Sequence, residues 1–236
     1  MKNILLGVLL TSACGGSNGG TPGVDGPPGG FVDAPTNPSM RYEPWTVGST
    51  WSYMITDTQG LIPPAMNKVT RIMPMVDAGP PNAGKMAFLV HVEKLQGYKD
   101  VLETFSGDLD VRYKTSYYDL NNALTEVDVN QPYRLKLDEG LAHVAPGAHY
   151  SETFTETVTK TGTAPTTKQQ SENWTVVSAS ESLAVIAGTF TCLHVQRVNP
   201  AKPTAVIDYW YARGVGKVKE TGGSTDEELM AYTIAP

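Results

Sequence analysis

The segment Thr50-Trp51-Ser52-Tyr53-Met54-Ile55-Thr56 decides the fold class of this chain. Its large side chains Trp51, Tyr53 and Ile55 stand two residues apart. Successive side chains of a β-strand point to opposite faces of a sheet, so this spacing puts all three on one face. Aromatic and β-branched residues also favour strands. The segment therefore predicts a strand with one buried face.

The same alternation recurs along the chain beyond residue 40. Further strands are predicted at residues 85–92, 111–117, 149–160, 173–177, 190–198, 205–211 and 216–220. Clusters of Gly, Pro, Asn and Asp separate these runs, as turns between strands require. Short helices are expected only at residues 120–124 and 227–231. The pattern predicts an all-β fold, with an antiparallel curved sheet that forms a half-barrel, a barrel or a sandwich.

The N-terminus has the layout of an export signal. Lys2 precedes an apolar run at residues 4–10, which is too short to span a bilayer as a helix, and small residues lead to Cys14. Thr11-Ser12-Ala13-Cys14 resembles the lipobox of bacterial lipoproteins, with Thr11 where that family prefers Leu. The resemblance implies a signal peptide at residues 1–13 and a membrane anchor of lipid on Cys14. Because Gly15 rather than Asp follows, it also implies the outer membrane, on its periplasmic or surface side.

Two further regions follow from composition. Residues 14–39 are rich in Gly and Pro and poor in large apolar side chains, which predicts a flexible linker. Residues 40–236 are then expected to form a single β domain. Cys192 is the second of two cysteines, so lipid on Cys14 leaves it unpaired, and we expect it to be a small buried hydrophobe.

Charge argues against one class of partner. The chain has a formal net charge of −6, and its basic residues are scattered singly along the sequence. An acidic protein repels phosphate backbones, so nucleic acid is not expected as a partner.

Three stretches carry a family resemblance. They are residues 45–53, 187–193 and 208–219, which together read G-x-x-W-x-Y, A-G-T-F-x-C and Y-W-Y-A-x-G-V-G-x-V-K. The pattern resembles that of uncharacterised exported lipoproteins of Gram-negative bacteria and is similar to half-barrels of the lipoprotein-carrier type. The resemblance implies an exported β domain. Within it, Gly188 is expected to enter a strand with a positive φ, and Gly214 and Gly216 to form a hairpin turn.

The aromatic residues of these stretches allow two interpretations. Alternation places Trp210 on one face of its strand and both Tyr209 and Tyr211 on the other. With Trp51 and Tyr53 they are either core residues or the lining of a groove for a lipid or another apolar ligand. The carrier interpretation predicts an apolar cavity lined by Trp, Tyr, Met and Leu.

The sequence shows no catalytic motif of the hydrolase, metalloprotease or phosphate-loop kind. His143 and His149 flank a Pro-Gly turn but lack a third ligand for zinc, and Asp108 and Asp110 are expected at a solvated hairpin end rather than at a calcium site. We therefore expect no enzyme, cofactor or metal, and a non-enzymatic binding or structural module. The alternatives are an envelope hydrolase and a surface interaction module that uses the Thr-rich residues 153–167.

Overall fold

The computed structural model describes residues 41–58, 60 and 66–236. The predicted signal peptide, Cys14 and the linker at residues 14–39 lie outside this range. The described residues form twelve strands, which account for every strand predicted from the sequence. They are β1 (Thr50–Asp57), β2 (Met66–Asp77), β3 (Met86–Lys94), β4 (Gly97–Ser106), β5 (Leu109–Tyr118), β6 (Leu124–Asp138), β7 (His149–Lys160), β8 (Thr166–Val185), β9 (Gly188–Val198), β10 (Val206–Ala212), β11 (Gly216–Thr221) and β12 (Thr225–Thr233).

The strands form an antiparallel barrel in which each strand pairs with its neighbours in the chain. Strand β1 closes the barrel by pairing with β12 as well as with β2, with Trp51 opposite Tyr232 and Tyr53 opposite Leu229. The prediction of an all-β antiparallel fold is confirmed. Of the half-barrel, the barrel and the sandwich, the structure is the barrel.

The prediction of two short helices is wrong. Residues 119–123 form the turn between β5 and β6, because the Asp119 carboxylate accepts hydrogen bonds from the amides of Asn121 and Ala123. Residues 227–231 lie inside β12, where pairing with β1 and β11 outweighs their local helix preference. Among the described residues, no helix is long and apolar enough to cross a membrane.

Two glycine predictions are confirmed. Gly188 begins β9 with a φ of 136°, and Gly214 and Gly216 turn the chain from β10 into β11 with φ values of 69° and 106°. A Cβ on Gly216 would lie 3.1 Å from Nε1 of Trp51, so this position needs glycine for space as well as for backbone conformation. The Trp51 indole donates a hydrogen bond of 2.5 Å to the carbonyl of Val215 in the same turn.

The segment before β1 plugs one end of the barrel. Tyr42, Glu43 and Trp45 are buried, and Trp45 stacks on Phe105 with ring centroids 4.8 Å apart. The amides of Tyr42 and Glu43 donate to the Glu139 carboxylate in the β6–β7 connection. The plugged end is therefore the end that carries the β4–β5, β6–β7 and β10–β11 connections.

Buried apolar side chains form two clusters. One includes Val111, Leu137, Leu193 and Val195, and the other surrounds Trp51 and Trp45. Charged side chains also occupy the inner face of the barrel, beside several residues of these clusters.

Candidate functional site

The barrel encloses a cavity of about 370 Å³, which we call the lumen cavity. Glu43 of the plug lines one end of it, and Gly223 and Ser224 of the β11–β12 turn line the other. Strands of an up-and-down barrel alternate in direction, so this turn lies at the end opposite the plug. The lumen cavity therefore opens away from the plugged end.

The lining of the lumen cavity is strongly charged. Eight basic side chains line it: Lys68, Lys94, Lys99, Arg112, Arg134, Lys136, Arg197 and Lys217. Four carboxylates accompany them: Glu43, Glu103, Glu220 and Glu227. This lining differs from the apolar one that the lipid-carrier interpretation predicts. The reason is that inward positions of β2 to β6, β9 and β11 hold Lys or Arg where a sealed core would hold aliphatic residues.

Glu103 on β4 joins two of these cations. Its side chain is 2 % exposed and accepts from Nε of Arg112 at 2.8 Å, and Nζ of Lys136 lies 3.3 Å away. Burial opposes ionisation of the Glu103 carboxyl, but the charges of Lys136 and Arg112 prevail and lower its pKa to about 2. Glu103 is therefore an anion that links the strands β4, β5 and β6 of the cavity wall.

Glu227 on β12 joins a second pair. It forms buried ion pairs with Lys68 and with Lys217, the latter at 2.7 Å, and Lys217 also contacts Glu220. Burial lowers the pKa of Lys68 to about 8, although Glu227 favours its charged form. Glu227 begins the helix that was expected at residues 227–231, but it is a strand residue whose side chain points into the barrel.

Glu172 on β8 joins a third pair. Arg134 approaches one of its oxygens at 2.5 Å, and Arg197 approaches the same oxygen at 3.3 Å. Beside it, burial raises the pKa of Glu152 to about 8, and this carboxyl accepts a hydrogen bond from the amide of Leu135. Each of the three carboxylates Glu103, Glu172 and Glu227 thus contacts two cations.

Two basic residues of the lining, Lys94 on β3 and Lys99 on β4, have no carboxylate partner among the described residues. Lys99 is the less exposed of the two. It is half-buried and forms no hydrogen bond or ion pair within the described part of the chain. Burial, and then the charges of Arg112, Lys94 and Lys68, lower the pKa of Lys99 well below its usual value. The Lys99 ammonium therefore has no directly paired carboxylate among the described residues, although the charges of Glu227 and Glu103 favour its charged form.

The aromatic residues predicted to bind a ligand separate into three groups. Tyr53, Tyr209 and Tyr211 line the lumen cavity. Trp51 is buried in the apolar cluster beside the plug. Trp210 lies on the opposite face of β10 from Tyr209 and Tyr211, as the alternation predicted, and stacks on His194 with ring centroids 4.2 Å apart. Ligand binding by these five residues stays a prediction.

Neither a protein-family model nor a curated protein sequence matches this chain. One solved structure is similar in fold. It is a crystal structure from Bacteroides fragilis of a candidate exported protein with a YmcC-like fold. The two chains are 14% identical with a TM-score of 0.45, over 82% of this chain and 99% of that chain.

The remaining candidate residues form local structural contacts. His143 lies 2.5 Å from Asp138, whereas His149 bonds to Thr175. Groups of three or more metal-ligating side chains do not occur among the residues that the structure describes. Cys192 is buried, as expected, and burial raises the pKa of its thiol to about 12.

Asp108 and Asp110 do not share an environment. Asp108 is exposed in the β4–β5 turn, as expected for a hairpin end. Asp110 is fully buried and forms an ion pair of 2.8 Å with Arg41 of the plug, so the prediction that it is solvated is wrong. The plug covers this hairpin, which local sequence does not reveal.

The charged lining of the lumen cavity is not predicted from the sequence. Its basic residues lie one or two to a strand, and in the sequence they look like isolated surface charges. Their position in the alternation of each strand could have revealed them. Lys68, Lys99 and Arg112 lie on the inward faces of their strands, and other inward residues of those strands include Ile72, Val101 and Thr115.

Proposed function

We propose that this protein is a non-enzymatic binding module of the bacterial cell envelope. In this proposal the chain is exported and cleaved after Ala13. Lipid on Cys14 then anchors it in the outer membrane. The β domain binds a small polar solute inside its barrel. The lumen cavity carries the proposal, since a half-open chamber of about 370 Å³ falls in the size range of small-molecule sites.

The chemistry of the lining favours a polar ligand over a lipid. Twelve charged side chains surround the lumen cavity, and burying an apolar molecule against them would strip their water without replacing its hydrogen bonds. A polar solute can satisfy these groups. We therefore propose a polar ligand in place of the apolar one.

A cavity-filling variant tests the binding function. Thr70 lines the lumen cavity on β2, and its neighbour Val69 points to the opposite face of the sheet. Native mass spectrometry of the full chain, purified without denaturation from a bacterial envelope, should show a bound small molecule that denaturation releases. Thr70→Trp should lose this molecule, and Val69→Trp should keep it.

Folding of both variants is checked by their unfolding curves. Ile207→Trp, which fills the cavity from β10, replaces Thr70→Trp if that variant unfolds. A wild-type chain without bound solute, or a bound solute that survives cavity filling, would refute the binding function.

The anchor has its own test. Wild-type chain expressed with labelled palmitate should carry the label and fractionate with membranes. Cys14→Ala should do neither. Label incorporation in the Cys14→Ala chain would contradict the proposed anchor and leave the binding function standing.

A further inference from the structure

The lumen cavity carries an excess of positive charge in an acidic protein. Eight basic side chains line it against four carboxylates, whereas the whole chain has a net charge of −6. Glu172 lies behind the lining and pairs with Arg134 and Arg197, and with it included the cations still outnumber the carboxylates by three. A cleft of one sign with low-dielectric walls concentrates solutes of the opposite sign.

The unpaired positive charge of the lining includes that of Lys99. Six of the eight cations of the lining, including Arg112, Lys136 and Lys217, have carboxylate partners. Lys94 and Lys99 have none among the described residues, and of these two Lys94 is exposed whereas Lys99 is half-buried. The charges of Arg112, Lys94 and Lys68 act on Lys99 against those of Glu227 and Glu103. Burying an ammonium among cations is unfavourable unless a further anion neutralises it.

Trp174 supplies an independent observation on the β8 side of the lumen cavity. Its ring is 1 % exposed, held between Tyr150 and Tyr209, and its Nε1 has no hydrogen-bond acceptor among the described residues. An indole N–H and an ammonium can only donate hydrogen bonds. Both unsatisfied groups therefore need an acceptor, and oxyanions are the strongest acceptors for charged donors.

We propose that the lumen cavity binds a small solute that bears carboxylate or phosphate oxyanions, with Lys99 as its principal ionic contact. This inference rests on the proposed binding function and names the ligand class. Trp174 offers a further donor on β8, and the ion pairs of Glu103, Glu172 and Glu227 hold the surrounding cations in place. The volume of about 370 Å³ restricts the ligand to a small molecule.

Calorimetric titration of the full chain tests the ligand class with three probes: citrate for carboxylates, pyrophosphate for phosphates and glucose as a neutral control. We expect binding of at least one anion and none of glucose. Whichever anion binds more tightly distinguishes the two sources of oxyanion. Raising the salt concentration should weaken binding, because screening reduces attraction between the charges.

Substitutions at Lys99 test whether this residue contacts the bound anion. Lys99→Gln should weaken anion binding by at least about tenfold, a typical loss for one charge-assisted contact. Lys99→Arg keeps the charge and should retain most of the affinity. Lys114→Gln on β5 removes the same charge outside the cavity lining and should leave the affinity unchanged. Lys99→Gln removes no protein ion pair, so the variant should fold as the wild type does.

Two results would overturn the inference. One is that neither anion binds, and the other is that Lys99→Gln binds them as tightly as the wild type does. If the solute found by native mass spectrometry proves to be neutral and is lost in Thr70→Trp, the anion inference fails and the binding function stands. If no solute is found and no anion binds, both fail.

Discussion

Glu103→Gln should destabilise the barrel strongly at neutral pH and hardly at all in acid. The Glu103 carboxyl is buried between Arg112 and Lys136, and their charges lower its pKa from 4.5 to about 2. A difference of this size between the unfolded and folded states corresponds to roughly 3 kcal/mol of stability. Loss of one partner from a buried ion pair costs a similar amount, about 3–5 kcal/mol.

The sign of the pH dependence follows from the direction of the shift. Because folding lowers the pKa of Glu103, its contribution is present above pH 4.5 and is lost as the pH falls towards 2. Urea unfolding followed by tryptophan fluorescence measures the free energy of unfolding of both chains at a series of pH values. The difference between wild type and Glu103→Gln should be roughly 3 kcal/mol at pH 7 and should shrink steadily below pH 4.5.

Glu93→Gln is the matched control on the neighbouring strand β3. Its ion pair with Arg71 is exposed at the surface, so its loss should cost less than about 1 kcal/mol. A loss in Glu103→Gln no larger than that of the control, or one that does not vary with pH, would refute the electrostatic account of the cavity wall.

Three further predictions concern other buried groups. Burial raises the pKa of Glu152 to about 8, so the contribution of this carboxyl to stability falls as the pH rises from 4.5 to 8. The Glu152→Gln variant should therefore be more stable than the wild type at pH 8. Equal urea midpoints of the two chains at that pH would contradict this. In a Cys14→Ser chain, Ellman's reagent should label Cys192 only after denaturation, and rapid labelling of the folded chain would disprove its burial. Gly216→Ala should lower the free energy of unfolding by at least about 1 kcal/mol in thermal unfolding, because the φ of Gly216 is 106° and Trp51 is close. Gly223→Ala should lower it less, because the φ of Gly223 is not positive.

Several features of the fold follow from local sequence because they depend on neighbouring residues. Alternation at residues 50–56 and in the later runs predicts strands, since the pleat of a strand repeats every two residues whatever it packs against. The positive φ at Gly188, Gly214 and Gly216 follows in the same way from turn chemistry. Residues 227–231 show the limit of this reasoning, because pairing with β1 decides their conformation.

The sequence by itself determined that this protein is an antiparallel all-β chain, and it predicts an exported one through Lys2, the apolar run and Cys14. Only the tertiary structure decided that β1 closes on β12, and therefore which side chains share an interior. Lys68, Lys99, Arg112 and Lys217 are far apart in the chain and look like separate surface charges. Barrel closure brings them into one cavity, because every second residue of each strand faces the same enclosed space.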